Sequence, residues 1–340
     1  MTTFDDLVSR TWDENRLFSV LIELTYRCNL DCFFCYNDLN LRGTPLTFEH
    51  YDALLRDLAS MNVLNVALSG GEPLAHPDFF RIGARARELG FLVRVKSNGH
   101  ALRGELARRL LDEVDPFVIE VSLHGARAET HDRQTRVPGS FVRLIENLRE
   151  LQALGLRVKV NSTLTIWNEA ETEEMYALTD SLGLPLRFDL QVSPRDDGDR
   201  TPLNVAPTDE GIRNLMRIED ARMAALPPMP DPVITAAPSP KHCGAGSSAV
   251  AIDPYGNVYP CVQWRRAVAN LHERSIVDIW GDSFGGIRRE TEEAKRIVAA
   301  HPRGQLLNFC PGLAEVLTGS ATTVPSQMER IADVVGAELL

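Results

Sequence analysis

Residues 23–38 read ELTYRCNLDCFFCYND and hold three cysteines, Cys28, Cys32 and Cys35, in the spacing C-x3-C-x2-C. Three thiolates so close together can ligate one metal cluster. A cube of four irons and four sulfurs normally takes four cysteine ligands, so three leave one iron open to a ligand that is not protein. An open iron on a redox-active cluster is a place for chemistry, and the motif therefore predicts a catalytic 4Fe-4S cluster.

Two other interpretations of these cysteines stay open on the motif alone: a partial zinc site, or reduced thiols in a core. Zinc knuckles usually finish with a fourth Cys or His nearby, and none follows before His50. The remaining cysteines are Cys243, Cys261 and Cys310, at the other end of the chain. In a large chain, such clustering favours metal binding over disulfides.

The overall charge of the chain argues against several classes of partner. Its 340 residues carry a net charge of -11, which disfavours general binding to nucleic acid or to anionic membranes. The N-terminal run MTTFDDLVSRTWDEN is polar and acidic, unlike a signal peptide, and no apolar run reaches the length of a membrane span. We therefore expect a cytoplasmic protein with no nucleic-acid or membrane partner.

Six short segments rich in β-branched and apolar residues alternate with helical patterns along the chain. They are residues 18–24, 63–68, 91–96, 117–123, 157–165 and 186–192. Several are apolar on both faces, as buried parallel strands should be. Their interval of roughly 30 residues is that of one βαβ unit. The pattern predicts an α/β fold, a partial (β/α)6 barrel with helices outside the sheet.

Polar motifs follow four of these segments. The cysteine run follows the first, Ser69-Gly70-Gly71-Glu72-Pro73 the second and Ser97-Asn98-Gly99 the third, and Ser122 to His124 lies at the end of the fourth. In parallel sheets the chemistry sits at the carboxyl ends of the strands. We therefore expect the four motifs to meet at one rim of the barrel.

Composition divides the chain into four regions. Residues 1–17 are a lead-in, 18–225 the barrel, 226–240 a proline-dense linker, and 241–340 a smaller region with a helical tail. In the last region, the turn DPYGN at residues 253–257 joins two strand-like segments, and Cys261 lies just after this predicted hairpin.

The cysteine triplet, together with Gly70-Gly71-Glu72-Pro73 on a sixfold β/α repeat, resembles the radical S-adenosylmethionine (SAM) enzymes. The resemblance covers roughly residues 18–192. It implies that the open iron binds the amino and carboxylate groups of SAM. One electron then cleaves the sulfonium bond, and the resulting 5′-deoxyadenosyl radical abstracts a substrate hydrogen atom. Such a radical requires a site that holds the substrate close and excludes water.

The resemblance implies Cys28, Cys32 and Cys35 as cluster ligands. The positions it implies for SAM binding are Phe34, Gly70, Gly71, Glu72, Pro73, Ser97, Asn98, Ser122, Arg133 and Arg136. The phenylalanine would lie against the adenine, and the Gly-Gly-Glu-Pro edge would receive the methionyl amino group, because glycine permits close backbone approach. Ser97 and Asn98 match a Thr-Asn-Gly position, with serine replacing threonine. Ser122 would face the ribose or the carboxylate. Either arginine could pair with the carboxylate or belong to a solvated helix face.

The C-terminal region resembles the SPASM/Twitch extension of the same family, which holds auxiliary iron–sulfur clusters. The matching ligands are Cys243, Cys261 and Cys310. A full SPASM region has a denser later set of cysteines, so one auxiliary 4Fe-4S cluster, as in the Twitch type, is the most that fits. Its fourth ligand stays open between His242, Met328 and a substrate, water or small anion, and a degenerate, empty site is the remaining alternative.

The branch of the family with this extension mostly modifies peptides, and an auxiliary cluster suits reactions in which the substrate loses a second electron. We therefore expect oxidative modification or crosslinking of a ribosomally made peptide (RiPP maturation). The alternatives are radical chemistry on a small metabolite, such as a sugar, cofactor or tetrapyrrole precursor, and a non-catalytic electron-transfer protein. We expect a flavodoxin or ferredoxin as reductant. About seventeen residues precede the first strand, so a peptide substrate would call for a separate recognition protein.

Two residues at the barrel mouth are candidates for catalysis. Asp189 alternates with apolar residues on the sixth segment and could act as a base or position a substrate. His124 could serve likewise, although a lone histidine there is more often a hydrogen-bonding scaffold residue. The loop at residues 193–200 carries charges that could contact a polar substrate or simply be solvated.

Overall fold

The computed structural model describes residues 4–227 and 239–338, and within them the strands form a single sheet. The strands are β1 (Ser19–Thr25), β2 (Asn65–Gly70), β3 (Leu92–Ser97), β4 (Val118–Ser122), β5 (Val158–Thr163), β6 (Leu186–Asp189), β7 (Ala249–Ile252), β8 (Asn257–Tyr259) and β9 (Ala269–Asn270). Their order is β6-β5-β4-β3-β2-β1-β7-β8-β9. The first six pair in parallel with their neighbours, as the expected partial (β/α)6 barrel requires.

Helices follow most of the barrel strands and continue into the C-terminal region. They are α1 (Phe4–Asp13), α2 (Phe48–Ser60), α3 (Phe79–Glu88), α4 (Gly104–Arg109), α5 (Ala128–Thr135), α6 (Ser140–Ala153), α7 (Thr172–Ser181), α8 (Asp209–Ala224), α9 (Ile276–Asp282), α10 (Gly285–Ala300), α11 (Pro311–Thr318) and α12 (Ser326–Glu338). The start of α2 is fixed by the Thr47 backbone N–H, which donates to His50 Nδ1 at 3.1 Å. Gly90, just after α3, has a φ of +87°, which glycine adopts without strain.

The main core lies between the barrel strands and the helices that cover them. On β3, Val93 and Val95 are buried in this core, whereas Arg94 and Lys96 point to the inner face. Strand β5 alternates in the same way, with Lys159 on the inner face. Strands β3 and β5 are therefore not among the segments that are apolar on both faces, because the barrel interior beside them is a polar cavity rather than a filled core.

The C-terminal hairpin extends the barrel sheet. Strand β7 pairs in parallel with β1, with Ser19 opposite Ala249, and β8 and β9 continue as antiparallel neighbours. The predicted hairpin is present, but it adds to the exposed edge of β1 instead of standing apart. This pairing brings the region that carries Cys261 against the strand that leads to Cys28.

The N-terminal lead-in also contacts the C-terminal region. Helix α1 is followed by Asn15, whose side chain accepts a hydrogen bond from the buried Lys241 Nζ at 2.7 Å. Most of the predicted linker at 226–240 falls on residues 228–238, which lie outside the described residues. Within the described ranges, no helix is both long and apolar enough to cross a membrane.

Candidate active site

The three cysteines of the first motif line one side of a cavity of about 910 Å³ at the carboxyl ends of the strands. Their loop is held by α5, since the backbone N–H of Phe33 donates to the Gln134 carbonyl at 2.9 Å. All six cysteines are free thiols. Burial raises the pKa of Cys32, and the charges of Cys28 and Cys35 raise it further, so the three thiols face a common space. Among the described residues, no three His, Cys, Asp or Glu side chains are grouped closely enough to hold a single metal ion.

Gly70 and Gly71 line the same cavity beside the cysteine loop. The Gly71 N–H donates to the Thr25 carbonyl at 2.7 Å, which ties the end of β2 to the chain that leads to Cys28. A Cβ at Gly71 would lie 2.6 Å from the Arg27 carbonyl oxygen. The close approach of two backbones therefore requires glycine here and leaves backbone, without side chains, facing the cavity.

Glu72 lies behind this edge. Its carboxylate accepts hydrogen bonds from Ser97 Oγ at 2.9 Å, from the Asn98 N–H at 2.8 Å and from the Leu74 N–H at 3.2 Å. Burial raises its pKa to about 7, although these hydrogen bonds oppose the shift. Glu72 and Pro73 are not among the described residues that line the cavity. The carboxylate thus joins the ends of β2 and β3, and the part of the motif that faces a ligand is Gly70-Gly71.

Asn98 links the end of β3 to the first cysteine. Its Nδ2 donates to Asn29 Oδ1 at 2.7 Å and lies 3.6 Å from Cys28 Sγ. An N–H donor beside a sulfur stabilises the thiolate form, which is the form that binds metal. Ser97 and Asn98 therefore act together, one on the glutamate and one on the cysteine loop.

Phe34 and His124 face each other across the cavity lining, with ring centroids 4.8 Å apart. Burial lowers the pKa of His124 to about 3, so its imidazole is neutral near pH 7. Its Nδ1 has no hydrogen-bond partner among the described residues. The lowered pKa does not favour protonation of His124 near neutrality, so its role in catalysis stays a prediction, and the ring can still form a hydrogen bond.

Ser122 and Asp189 line the cavity at the ends of β4 and β6. One oxygen of Asp189, Oδ1, accepts a hydrogen bond from the Gln191 N–H at 2.9 Å. Burial raises the pKa of this carboxyl, and Arg187 partly opposes the shift. The negative charge of Asp189 in turn raises the pKa of Cys310, after burial and against local hydrogen bonds. Asp189 therefore lies between the cavity and the second set of cysteines.

The two arginines predicted to bind a carboxylate lie elsewhere. Arg133 lies over the Trp167 ring, 4.3 Å from its centroid. Arg136 pairs with Asp31 at 3.3 Å and lies over Phe33. Neither is among the described residues that line the cavity. Their positions on the outer side of the cysteine loop give no support to a role in binding SAM.

Charged residues inside the barrel were not anticipated from the sequence. Lys96, Glu120 and Lys159 are register partners on β3, β4 and β5 and line the cavity together. Although burial opposes ionisation, Lys96 and Arg94 lower the pKa of Glu120 to about 2. The signal was present in FLVRVK at residues 91–96, where charges alternate with valines, as on a strand with one polar face.

The second set of cysteines also forms a group. Burial, together with the charge of Cys310, raises the pKa of Cys243 to about 11 and that of Cys261 to about 12. His242 Nε2 is 2.7 Å from the Phe309 carbonyl oxygen, so this ring nitrogen is already engaged. Met328 is buried in a small apolar cluster with other C-terminal residues. Neither candidate for the fourth ligand gains support from these contacts.

The cavity and its donors fit a 4Fe-4S cluster with SAM. Three unpaired thiols face one space, and the Gly70-Gly71 edge presents backbone with no side chain to obstruct a ligand. Beside it, the buried Asn37 donates weakly to the Gly70 carbonyl at 3.4 Å, while its Oδ1 has no partner among the described residues. An orphaned acceptor at this edge suits an ammonium group.

A cavity lined by three free cysteines at the strand ends of a parallel partial barrel is the arrangement expected of a radical enzyme of the iron–sulfur class. A family model described as the radical SAM superfamily matches residues 22–179, and one described as an iron-sulfur cluster-binding domain, SPASM, matches residues 243–298. A PqqA peptide cyclase from Streptomyces rochei is 32% identical over 288 residues, covering 77% of this chain and 74% of that protein. The chain therefore belongs to the radical SAM superfamily and carries a SPASM-type iron–sulfur domain.

Other relatives and solved structures agree with this assignment. The mycofactocin maturase MftC of Mycobacterium tuberculosis (strain CDC 1551 / Oshkosh) is 32% identical over 257 residues. That match covers 70% of this chain but only 63% of the maturase. The fold is similar to native anSMEcpe with bound AdoMet, with a TM-score of 0.69 and 14% identity over 95% of this chain and 99% of that one. Streptococcus suis SuiB has a TM-score of 0.64 and 16% identity over 81% of this chain and 68% of SuiB.

Proposed function

We propose that this chain is a radical SAM peptide maturase that oxidises or crosslinks a ribosomally made peptide. The observation that carries the proposal is that one cavity is lined both by the first cysteine set and by residues next to the second. Cys28, Cys32 and Cys35 line it directly, as do Gln263 and Asn308, each two residues from an auxiliary cysteine. A substrate held there lies between a site that generates a radical and a site that can accept an electron.

The residues of the first site hold and orient the cofactor. When bound to SAM, a cluster ligated by Cys28, Cys32 and Cys35 supplies a 5′-deoxyadenosyl radical that removes a hydrogen atom from the substrate. The Gly70 carbonyl and Asn37 Oδ1 would receive the methionyl amino group, and Phe34 would pack against the adenine. Ser122 would contact the ribose or the carboxylate. Together these residues would orient SAM toward the substrate and keep water out.

The far side of the cavity binds the peptide and completes its oxidation. Losing a hydrogen atom and then an electron leaves the substrate with one proton to release. We assign that proton to Asp189, and two observations support the assignment: Asp189 Oδ1 accepts a hydrogen bond from the Gln191 N–H, and burial raises the pKa of the carboxyl. Peptide chemistry is supported by the named activities of the relatives and by the solved complex of SuiB bound to the precursor peptide SuiA.

The partners of this reaction follow from the same proposal. A flavodoxin or ferredoxin would supply the electron, and a separate recognition protein would deliver the peptide. A reaction that depends on a low-potential reductant and on SAM is consistent with the cytoplasm as its compartment.

Anaerobic reconstitution tests the proposed chemistry. The protein is loaded with iron and sulfide, then given SAM and dithionite, and 5′-deoxyadenosine is quantified. We expect about eight irons per chain, as two four-iron clusters require, and 5′-deoxyadenosine in the wild type but not in Cys32→Ala. A fully loaded wild type that forms no 5′-deoxyadenosine would contradict the proposal. Product formation only with sugar or cofactor precursors would favour the small-metabolite alternative.

A further inference from the structure

Arg265 connects the auxiliary region to the barrel. It lies four residues after Cys261, between β8 and β9, and its guanidinium contacts two carboxylates from separate parts of the barrel. Its Nη1 and Nη2 donate to the two oxygens of Glu23 at 2.8 and 2.7 Å. Its Nε lies 2.9 Å from Asp196 Oδ2, an ion pair without the alignment of a hydrogen bond. One side chain thus joins the auxiliary hairpin to two barrel segments at once.

Both carboxylates belong to the framework of the first cysteine site. Glu23 is on β1, five residues before Cys28. Asp196 follows β6, and its backbone N–H donates to the Tyr36 carbonyl at 2.7 Å, one residue after Cys35. Asp196 of the loop at 193–200 is therefore directed into the protein, whereas residues 197–200 are exposed, and the expectation that the loop contacts a polar substrate stays a prediction.

Arg195, next to Asp196, strengthens the same connection. Its guanidinium donates to the Cys35 carbonyl at 3.1 Å and to the Phe33 carbonyl at 3.3 Å. The loop after β6 therefore holds the backbone of the cysteine motif on one side, while Asp196 pairs with Arg265 on the other. A displacement of Arg265 would be transmitted to the cysteine loop through two adjacent residues.

The network is buried, which makes its geometry specific. The side chain of Glu23 is 0% exposed, that of Arg265 9% and that of Asp196 15%. Charged groups removed from water need several well-aligned partners, and apolar residues of similar volume often stabilise a fold as well or better. A fork-shaped guanidinium between two carboxylates instead fixes distance and angle. That points to orientation as the function of these three residues.

We propose that Arg265 is a positioning residue that sets the separation and orientation of the auxiliary site relative to the Cys28, Cys32 and Cys35 site. This inference rests on the proposed function, since both sites must hold clusters. Shifts of about 1 Å in the placement of reacting groups can cost about a hundredfold in rate. A rigid connection between the two sites therefore matters for the second half of the reaction, in which the substrate passes its electron to the auxiliary site.

Arg265→Lys tests the proposal, and Arg266→Lys is its matched control. Lysine keeps the charge but cannot form the fork to Glu23 while reaching Asp196. Arg266 is the adjacent residue and also pairs with two carboxylates, Glu290 and Glu315, but both belong to the C-terminal region. Of the two substitutions, only Arg265→Lys weakens the connection between the auxiliary region and the barrel.

The main readout is the magnetic coupling between the two reduced clusters, measured by pulsed EPR on the reconstituted proteins. We expect the coupling to change in Arg265→Lys and to match the wild type in Arg266→Lys. Peptide turnover per 5′-deoxyadenosine formed should fall about tenfold or more in Arg265→Lys and stay within about twofold of wild type in Arg266→Lys. Unchanged coupling in Arg265→Lys would overturn the proposal.

Three other outcomes are possible: the variant does not fold, the second cluster is absent, or the proposed function fails. If Arg265→Lys does not fold, Asp196→Asn decides instead, because it removes one of the two carboxylate partners and should change the coupling in the same way. A wild type that binds only about four irons has no second cluster to position and overturns the proposal. If the wild type loads both clusters but forms no 5′-deoxyadenosine, the proposed function fails, while the EPR comparison still tests Arg265.

Discussion

Glu72 is buried behind the Gly70-Gly71 edge, where three hydrogen-bond donors surround its carboxylate. Its sequence context predicted a ligand-facing role for the whole Gly-Gly-Glu-Pro motif. The structure divides that motif into two glycines at the cavity and a glutamate that joins two strand ends. Side-chain direction at a turn depends on tertiary contacts, in this case with Ser97 and Asn98, which lie 25 and 26 residues further along the chain.

The buried carboxyl of Glu72 should make stability depend on pH. Its pKa rises from 4.5 to about 7 on folding. The stability that this shift provides is therefore fully present below about pH 4.5 and is lost as the pH rises through 7. Glu72→Gln does not titrate. We therefore expect the free energy of unfolding of the wild type to fall by about 2 kcal/mol relative to that of the variant between pH 5 and 8. Anaerobic urea unfolding of both proteins measures this, and a constant difference across that range would show that the pKa is not raised.

Phe34 should contribute to SAM binding, and its neighbour Phe33 provides the control. Only Phe34 lines the cavity, whereas Phe33 packs on Trp167, with ring centroids 5.0 Å apart, outside it. Stacking on a base is worth about 1–3 kcal/mol, so Phe34→Ala should weaken SAM binding about 10- to 100-fold. Equilibrium binding to the reconstituted proteins measures the effect. If Phe33→Ala weakens SAM binding equally, the loss comes from disturbing the loop and not from the contact between Phe34 and the adenine.

At the scale of secondary structure, the barrel strands could be predicted closely, because buried parallel strands are marked by dense β-branched residues. The sixth is the exception. It was expected to reach Val192, but β6 ends at Asp189, since the chain turns there and the Gln191 N–H bonds the Asp189 side chain instead of a neighbouring strand. The pairing of β7 with β1 could not be predicted, because it joins segments about 230 residues apart and depends on an open barrel edge.

The turn after β2 should be intolerant of a side chain. A Cβ at Gly71 would press on the Arg27 carbonyl oxygen, so Gly71→Ala must move either the turn or the segment before Cys28. We expect a loss of about 1–3 kcal/mol in stability and at least about tenfold weaker SAM binding, with cluster loading retained. Gly281→Ala is the control, because nothing lies within 4 Å of that Cβ position. Wild-type SAM affinity in Gly71→Ala would contradict the assigned role of this edge.

At the scale of the molecule, both ends of the chain converge on one cavity. The first cysteine triplet predicted a metal cluster by its spacing, whereas the role of the second triplet came from the family resemblance. The sequence did not indicate that Gln263 and Asn308, from the auxiliary region, complete the cavity lining, because these residues carry no motif. Nor did it reveal the buried link from Arg265 to Glu23, since a single arginine and a single glutamate are uninformative until the fold places them together.

The most direct test of this account first identifies a short precursor-like reading frame near the gene and then compares the wild type with Cys310→Ala on the synthetic peptide. Cys310 belongs to the auxiliary set and does not line the first site. We predict that the wild type forms 5′-deoxyadenosine and removes two hydrogen atoms from the peptide, seen by mass spectrometry. Cys310→Ala should still form 5′-deoxyadenosine but leave the peptide unoxidised. A variant that oxidises the peptide as well as the wild type would contradict the claim that the auxiliary site completes the reaction.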